Sequence, residues 1–174
     1  MENILLKAFD LIKSNFEINV GISIYNLNEF EQLDDNLKKV INYIQAPFNI
    51  YDETANLLKN KNKNLKFKVS ARSIFLQGFL ISPNCPNNIF KREWEIFQQI
   101  CSSQNIHPKT ACLSHAINKK GIDNFVLGVN SFEQIKEISN ILYKLNQTDF
   151  NFVMPTKYIR KISSKLIDPR LWNI

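Results

Sequence analysis

The feature that most constrains the fold is a regular alternation of short apolar strands with helical stretches. Residues 18–24 alternate apolar with small or polar side chains, which is the period-two pattern of a strand. Three more strands are predicted at 40–46, 66–71 and 124–128. A helical pattern at residues 4–13 precedes the first strand, and helical patterns follow every strand. Strands that alternate with helices pair in parallel beneath those helices, so we predict an α/β fold.

The helical stretches carry recognisable start and stop signals. Pro108 suits the first turn of a helix that ends at Gly121, and Ser131 with Gln134 has capping-box spacing. Shorter helices are predicted at 28–38, 53–61 and 156–167. One long helix carries Phe90, Trp94, Phe97 and Cys101 on one face, and the helix after Ser131 would bury Phe132, Ile135, Ile138, Leu142 and Leu145. No linker divides residues 1–174, so we expect a single domain.

Composition excludes several classes of protein. The 44% hydrophobic and 22% charged fractions are typical of a globular chain, and no apolar run reaches the roughly 20 residues that cross a bilayer. The N-terminus lacks a secretory signal, and three cysteines without close pairing suit a reducing compartment, so we expect a cytoplasmic protein. The net charge is +6, but its one dense lysine run, at 59–64, is typical of a solvated loop. We therefore expect neither nucleic-acid nor membrane binding.

Four strand ends and the C-terminus carry short motifs. In chain order they are Gly-Ile-Ser-Ile-Tyr at 21–25, Gln-Ala-Pro-Phe-Asn at 45–49, Ala-Arg-Ser-Ile-Phe-Leu-Gln-Gly at 71–78, Val-Leu-Gly-Val-Asn-Ser-Phe-Glu-Gln at 126–134, and Asp-Pro-Arg-Leu-Trp at 168–172. Each motif alone is weak. Together and in this order they resemble the second half of the aldo/keto reductases. The first three correspond to that family's Gly-Val-Ser-Asn-Tyr/Phe, Gln-x-x-Tyr-Asn and Ala-Tyr-Ser-Pro-Leu-Gly-x-Gly.

This resemblance implies half of a TIM (β/α)8 barrel, with four parallel strands, the family's strands five to eight, and outer helices. Ligands of such barrels bind at the carboxyl ends of the strands, and phosphates commonly lie at the loops after strands seven and eight. The turn at 128–131 leads directly into a helix N-terminus, where free N–H groups favour an anion.

The resemblance also implies a cofactor, NADP or NAD, and roles for individual residues. Ser23 and Gln45 would hydrogen-bond the nicotinamide carboxamide, and Arg72 takes the position of the aromatic residue that stacks on the nicotinamide ring. The pyrophosphate would be lined by Ser73, Leu76, Gln77 and Gly78, with Gly128 and Val129 in the second phosphate loop. Asn130, Gln134 and Glu137 would meet the adenosine end.

Three departures from the family pattern bear on cofactor binding. Ile24 replaces the Asn that follows the serine, and Arg72 replaces the stacking aromatic residue. Gln134 stands where the family often has a basic residue for the adenosine 2′-phosphate. A lost charge-assisted hydrogen bond costs roughly 1.5–3 kcal/mol, so NAD and NADP both stay open at this stage.

The family's catalytic Asp, Tyr, Lys and His lie in the half of the barrel that the resemblance does not cover, and no such set can be assigned here. We therefore expect the chain by itself to be inactive. Cys112 and His115 lie three residues apart, but two candidate ligands do not make a zinc site, and we expect no metal. We predict packing for His115, Trp94 and Phe97, and a helix-entry position for His107.

Two hypotheses about function follow. In the first, the chain is a truncated or split aldo/keto reductase, an NAD(P)-dependent oxidoreductase of carbonyl compounds whose catalytic groups come from another chain. In the second, it is a non-catalytic half-barrel that binds a nucleotide or a protein partner.

The predicted half-barrel leaves two sheet edges, along 18–24 and 124–129. Exposed strand edges pair readily with other chains. We expect inward residues such as Ile22, Ile44 and Val69 to face an open trough that another chain closes. That chain would be a second copy in a homodimer or a separate N-terminal half-barrel. The alternative is that the helix at 4–13 and the C-terminal tail cover the edges.

Overall fold

The computed structural model of the chain describes residues 2–62, 64, 66–159 and 162–172. Its internal contacts group the chain into two compact units, which are described separately. The first unit comprises Met1–Phe48, Glu53–Arg72 and Lys120–Val126, and the second comprises Asn49–Asp52, Ser73–Lys119 and Leu127–Ile174. None of the described helices is long and apolar enough to cross a membrane.

The first unit contains a parallel sheet of four strands. The strands are β1 (Gly21–Ser23), β2 (Tyr43–Pro47), β3 (Lys68–Arg72) and β4 (Asn124–Phe125). They pair in sequence order, β1-β2-β3-β4, and every pair is parallel. The predicted α/β class and parallel pairing are confirmed, and β1 and β4 are the two edge strands.

Four helices complete the first unit: α1 (Glu2–Asn15), α2 (Leu27–Glu31), α3 (Asp35–Val40) and α4 (Thr54–Lys61). Helix α4 packs against β2 and β3, and α1 packs against α3. The stretch predicted as one helix at 28–38 forms two helices. The Asp34 side chain accepts a hydrogen bond from the Asn36 N–H group (2.8 Å) and so starts α3 as a separate helix.

The second unit is built from helices. They are α5 (Lys91–Ser103), α6 (Pro108–Ile117), α7 (Phe132–Leu145), α8 (Thr156–Ile159) and α9 (Ser164–Ile167), with 3-10 turns at Phe79–Ile81, Asn88–Phe90 and Pro169–Leu171. Pro108 lies in the first turn of α6 as predicted, and the His107 ring nitrogen Nδ1 accepts from the Lys109 N–H group (3.2 Å). His107 is therefore the helix-entry residue that the sequence indicates.

The strands are shorter than the apolar patterns predicted. β2 begins at Tyr43, because Val40 is the last residue of α3 and the Ile41 N–H group still bonds to the Leu37 carbonyl (3.3 Å). Ile18 lies outside β1 and is exposed, and β4 ends at Phe125. Apolar residues such as Ile18 and Val126 continue the alternation beyond the paired part of a strand although they are exposed, so the pattern overestimates strand length.

The expectation of an open apolar trough is wrong. Ile44 and Val69 are fully buried, as are Ala46 and Ala71 on the same face of β2 and β3. α4 packs on these two strands, so their apolar face forms the core of the unit. Ile22 is half-buried. The opposite face of the sheet carries polar side chains instead.

The predicted inner face of α7 is partly wrong. Ile138 and Leu145 are buried against Leu113 of α6, but Phe132 and Ile135 are exposed. The first turn of the helix therefore projects beyond its packing partner, and only the later turns enter the core.

Asp123 connects β3 to the segment before β4. Its Oδ2 atom accepts hydrogen bonds from the Val69 N–H group (2.7 Å) and from the Lys59 ammonium (3.3 Å), which also donates to the Phe67 carbonyl (3.1 Å). We predict that Asp123→Ala lowers the free energy of unfolding by about 1–3 kcal/mol, because the Val69 N–H group loses its acceptor. Urea unfolding followed by circular dichroism measures this. Asp149→Ala, at an exposed position, is the control, and equal effects of both changes would contradict the role of Asp123.

Candidate functional site

One face of the first unit's sheet carries a polar row. Parallel pairing aligns Ser23 with Gln45, Gln45 with Ser70, and Ser70 with Asn124. The Ser23 hydroxyl donates to Gln45 Oε1 (3.4 Å), and the Ser70 hydroxyl donates to Asn124 Oδ1. The structure therefore brings Ser23 and Gln45 together. The structure adds Ser70 and Asn124 to this row, and the motif comparison missed both. Alternate residues of a strand share one face, so the strand pattern could have indicated them.

Arg72, at the end of β3, lies on this same face and reaches β1. Its Nη2 donates to the Ile24 carbonyl (3.1 Å), and its guanidinium carbon lies 4.3 Å from the centre of the Tyr25 ring. A guanidinium at this distance from a ring face makes a cation–π contact. Tyr25, which had no predicted role, thus holds the Arg72 guanidinium in place.

In the second unit, the segment after β3 adopts a run of left-handed backbone conformations. Their φ angles are 62° at Ser73, 47° at Leu76, 54° at Gln77 and 83° at Gly78. Non-glycine residues adopt such angles at a cost in energy, and they concentrate at functional sites. The Asn49 side chain donates to the Ser73 carbonyl (3.2 Å), and the Leu76 N–H group bonds back to the same carbonyl (2.9 Å).

This left-handed run leaves backbone donors free. Within the described residues, the N–H groups of Gln77 and Gly78 have no hydrogen-bond acceptor. A Cβ atom added to Gly78 would meet nothing within 4 Å. Leu76 has a fully buried side chain, so it can line a ligand only through its backbone. The segment therefore leaves two backbone N–H groups unpaired beside a glycine with an open Cβ position, which is the chemistry of an anion site.

The second predicted phosphate loop leads into α7. A Cβ atom at Gly128 would also meet nothing within 4 Å, and Val129 is partly exposed. The Ser131 hydroxyl caps α7 by accepting from the Gln134 N–H group (3.3 Å), as its spacing predicts. The Gln134 side chain in turn accepts from the Asn130 N–H group (2.8 Å). Gln134 therefore braces the loop rather than extending freely from it.

The N-terminus of α7 favours negative charge. The pKa of Glu133 is lowered from its ordinary value, chiefly because the carboxylate accepts from its own backbone N–H group and also from the Ser131 hydroxyl. Glu137, one turn later, forms an ion pair with Lys109 of α6. Lys109 carries no motif and had no predicted role.

These donors have the chemistry that binds an anion. Two loops each combine a glycine beside open space with backbone N–H groups, and one of them ends at a capped helix N-terminus. In the first unit, the Ser23 hydroxyl and the Gln45 carboxamide offer both a donor and acceptors, which suit an amide group.

A family model described as "Aldo/keto reductase family" matches residues 18–154, which is most of the chain. The chain belongs to the aldo/keto reductase family.

Solved structures agree with this assignment. Aldo-keto reductase AKR11C1 from Bacillus halodurans matches in its holo form with a TM-score of 0.61 at 14% identity, covering 93% of this chain and 58% of that one. Its apo form matches with a TM-score of 0.62 at 14% identity, covering 93% and 59%. At this identity the likeness establishes the fold, a partial (β/α)8 barrel, and the chain spans about three-fifths of the relative's length. A comparison with curated protein sequences found no match.

The histidines, the cysteines, Trp94 and Phe97 of this aldo/keto reductase chain lie in the second unit. The described residues contain no group of three His, Cys, Asp or Glu side chains that could hold a metal ion. His115 is half-buried, and Phe97 is fully buried with its ring edge-on to Phe152 (6.0 Å between ring centres), as predicted for packing residues. Trp94 is half-buried on the same helix as Phe97.

The two buried cysteines are held as thiols. Burial raises the pKa of Cys101 to about 12 and raises the pKa of Cys112 well above its ordinary value. The thiolate is the reactive form of cysteine, and a raised pKa makes it scarce at every pH below that value. Neither cysteine is therefore a nucleophile at neutral pH.

We predict that a disulfide reagent at pH 8 reacts quickly only with Cys85, the half-buried one of the three free cysteines. Cys101 and Cys112 should react only after unfolding, because they are buried and protonated. Thiol titration without denaturant counts the cysteines that react in the folded chain, and titration with denaturant counts all reactive cysteines. Cys85→Ser is the control and should abolish the fast phase; a second fast thiol in the folded protein would contradict the assignment.

Proposed function

We propose that this chain is the cofactor-binding part of an NAD(P)-dependent oxidoreductase that acts on carbonyl compounds. The observation that carries the proposal is the pair of unpaired backbone N–H groups at Gln77 and Gly78 after β3, beside a glycine whose Cβ position is open, in a member of this family. Phosphate groups are the ligands that such backbone donors suit best. Gly128 and the capped start of α7 supply a second group of the same chemistry.

For the first unit, we propose that Ser23 and Gln45 bind the nicotinamide carboxamide. Their existing 3.4 Å hydrogen bond would break, so that the Ser23 hydroxyl and the Gln45 carboxamide could each hydrogen-bond to the ligand instead. Arg72 would flank the nicotinamide ring. Its charge is already directed at the Tyr25 ring and the Ile24 carbonyl, which reduces its repulsion of an oxidised, cationic ring.

For the second unit, we propose that the backbone of Ser73, Leu76, Gln77 and Gly78, with Gly128 and Val129, holds the pyrophosphate. Asn130, Gln134 and Glu137 would lie toward the adenosine. The bound dinucleotide supplies the hydride, and the protein contributes binding and orientation.

The proton that accompanies hydride transfer needs an acid beside the substrate carbonyl. Because no Asp, Tyr, Lys and His set can be assigned in this chain, we propose that another polypeptide segment supplies it. The free cysteines favour a cytoplasmic location for this assembly. If the chain binds a dinucleotide but every candidate partner leaves it inactive, the non-catalytic alternative is supported instead.

We predict that Gly128→Val weakens dinucleotide binding at least about tenfold, because the added side chain occupies the space that a phosphate would enter. The free chain should tolerate the change, since no atom lies within 4 Å of the new Cβ position. Fluorescence titration with NADH and NADPH measures both affinities. Asn151→Val, at an exposed position, is the control. Unchanged affinity in Gly128→Val would place the phosphates elsewhere.

The first unit also supports the proposal that a second chain pairs with this one. β1 and β4 are both edge strands, and exposed apolar side chains lie near β1 at Ile18 and on α1 at Ile4 and Leu11. Strand edges and apolar patches of this kind mark interaction surfaces. The partner would be a second copy of this chain or a separate chain that carries further barrel strands.

We predict that the chain associates with itself at micromolar concentration when no other partner is present. Ile18→Lys should weaken this association, because a charge beside the β1 edge disfavours pairing. Sedimentation velocity across a concentration series measures it. Ile89→Lys, at an exposed apolar residue of the second unit, is the control. A monomer at all concentrations would contradict the edge-pairing proposal.

A further inference from the structure

The first unit's sheet has one face covered by a helix and one face largely open to solvent. Helix α4 packs on β2 and β3, where Ile44 and Val69 are fully buried. The opposite face carries the polar row together with Lys68, which is exposed, and Tyr43, which is half-buried. Sheets in which every strand is parallel are normally covered on both faces. The open face therefore indicates that a further surface covers it.

A column of cations runs along this open face at β3 and the segment directly before it. Between residues 66 and 72, exposed or half-buried polar side chains alternate with buried apolar ones. Alternate residues of an extended chain share one side, so the polar side carries three cations, Lys66, Lys68 and Arg72. None of the residues in the four described strands is acidic. The open face is therefore positively charged.

The two lysines of this column have no acidic partner. Neither Lys66 nor Lys68 forms an ion pair with any described residue, whereas Lys61 of α4 pairs with Glu31 (3.2 Å). The Lys68 ammonium instead lies 5.7 Å from the centre of the Tyr43 ring. A ring contact of this kind attracts the ammonium to the sheet but does not neutralise its charge. Both charges therefore stay available to a partner.

We infer that this face docks an acidic polypeptide surface, whose carboxylates pair with Lys66 and Lys68. Charge complementarity across an interface favours the matching partner and disfavours partners of like charge. The hydroxyl and amide groups of Ser70 and Asn124, which lie on the same face, can hydrogen-bond to that partner. Neither lysine belongs to the residues proposed to bind the dinucleotide, so the docking surface and the cofactor site can be tested separately.

A second copy of this chain does not suit the open face. It would bring Lys66, Lys68 and Arg72 opposite the same cations of its partner, and like charges at close range repel each other. Pairing at the β1 edge is a different contact, because it uses backbone groups in the plane of the sheet. The partner of the open face is therefore a different, acidic polypeptide.

Single-stranded nucleic acid is the other anionic polymer that a basic face could bind. Such strands stack their bases on aromatic rings beside a basic groove. Here Tyr43 and Tyr25 each have a cation over the ring, Lys68 at 5.7 Å and Arg72 at 4.3 Å. The cations leave less ring surface for a base to stack on, so the face favours carboxylates over bases.

The test measures binding of the full chain to labelled poly-L-glutamate by fluorescence anisotropy. Lys66→Glu/Lys68→Glu should weaken binding at least about tenfold, because two attractive contacts become repulsive. Lys66→Gln/Lys68→Gln, which removes the charges without reversing them, should weaken binding by a smaller factor. Lys66→Arg/Lys68→Arg keeps both charges and should bind as tightly as the unmodified chain.

The matched control is Lys7→Glu/Lys39→Glu, which makes the same change in net charge at exposed positions on α1 and α3 of the same unit. The control should weaken binding less than about twofold, since it changes only the long-range attraction of the chain. Carbodiimide cross-linking followed by peptide mapping should couple the polymer to Lys66 and Lys68 in preference to Lys7 and Lys39.

Equal losses in the Lys66/Lys68 variant and in the control would overturn the inference, because the net charge of +6 would then explain the binding. Tighter binding of an oligothymidylate of equal charge, with the same dependence on Lys66 and Lys68, would overturn it in favour of nucleic acid. Absence of binding to poly-L-glutamate would overturn it as well. Titration of the same samples with NADH and NADPH reports on the proposed function independently of each of these outcomes.

Discussion

The parallel pairing of β2 with β3 is the constraint on which the rest of the first unit depends. Its register sets which side chains share a face: Ile44 and Val69 enter the core, while Gln45 and Ser70 line up on the opposite side. The pairing of β1 with β2 needs Gly21, because a Cβ atom there would lie 2.3 Å from the Tyr43 carbonyl oxygen. With that close approach, Ser23 comes to lie beside Gln45, and the polar row is complete at this edge.

The second unit depends on a different constraint, the left-handed backbone between Ser73 and Gly78. Three of its four left-handed residues are not glycine, so the conformation carries a cost that the Asn49 side chain and the buried Leu76 help to offset. The conformation turns the Gln77 and Gly78 N–H groups away from any internal acceptor. A strained segment that exposes unpaired donors suits ligand binding better than packing, and this is why the proposed phosphate site is placed there.

Charged side chains are held by partners of their own unit at both proposed ends of the dinucleotide. At the proposed nicotinamide end, Tyr25 holds the Arg72 guanidinium through a ring contact at 4.3 Å. At the other end, Glu137 and Lys109 cancel each other's charge across α6 and α7. Both arrangements depend on residues, Tyr25 and Lys109, to which the sequence comparison assigned no role.

The sequence by itself determined the α/β class, the parallel order of the strands and the capped start of α7. These features are encoded locally, in the alternation of apolar residues and in the spacing of Ser131 and Gln134. Only the tertiary structure decided which face of the sheet is buried, at which turn α7 enters the core, and which partners Arg72 and Glu137 take. Those outcomes depend on contacts between residues far apart in the chain, such as Lys109 with Glu137, and a local pattern contains no information about which distant surface a side chain will meet.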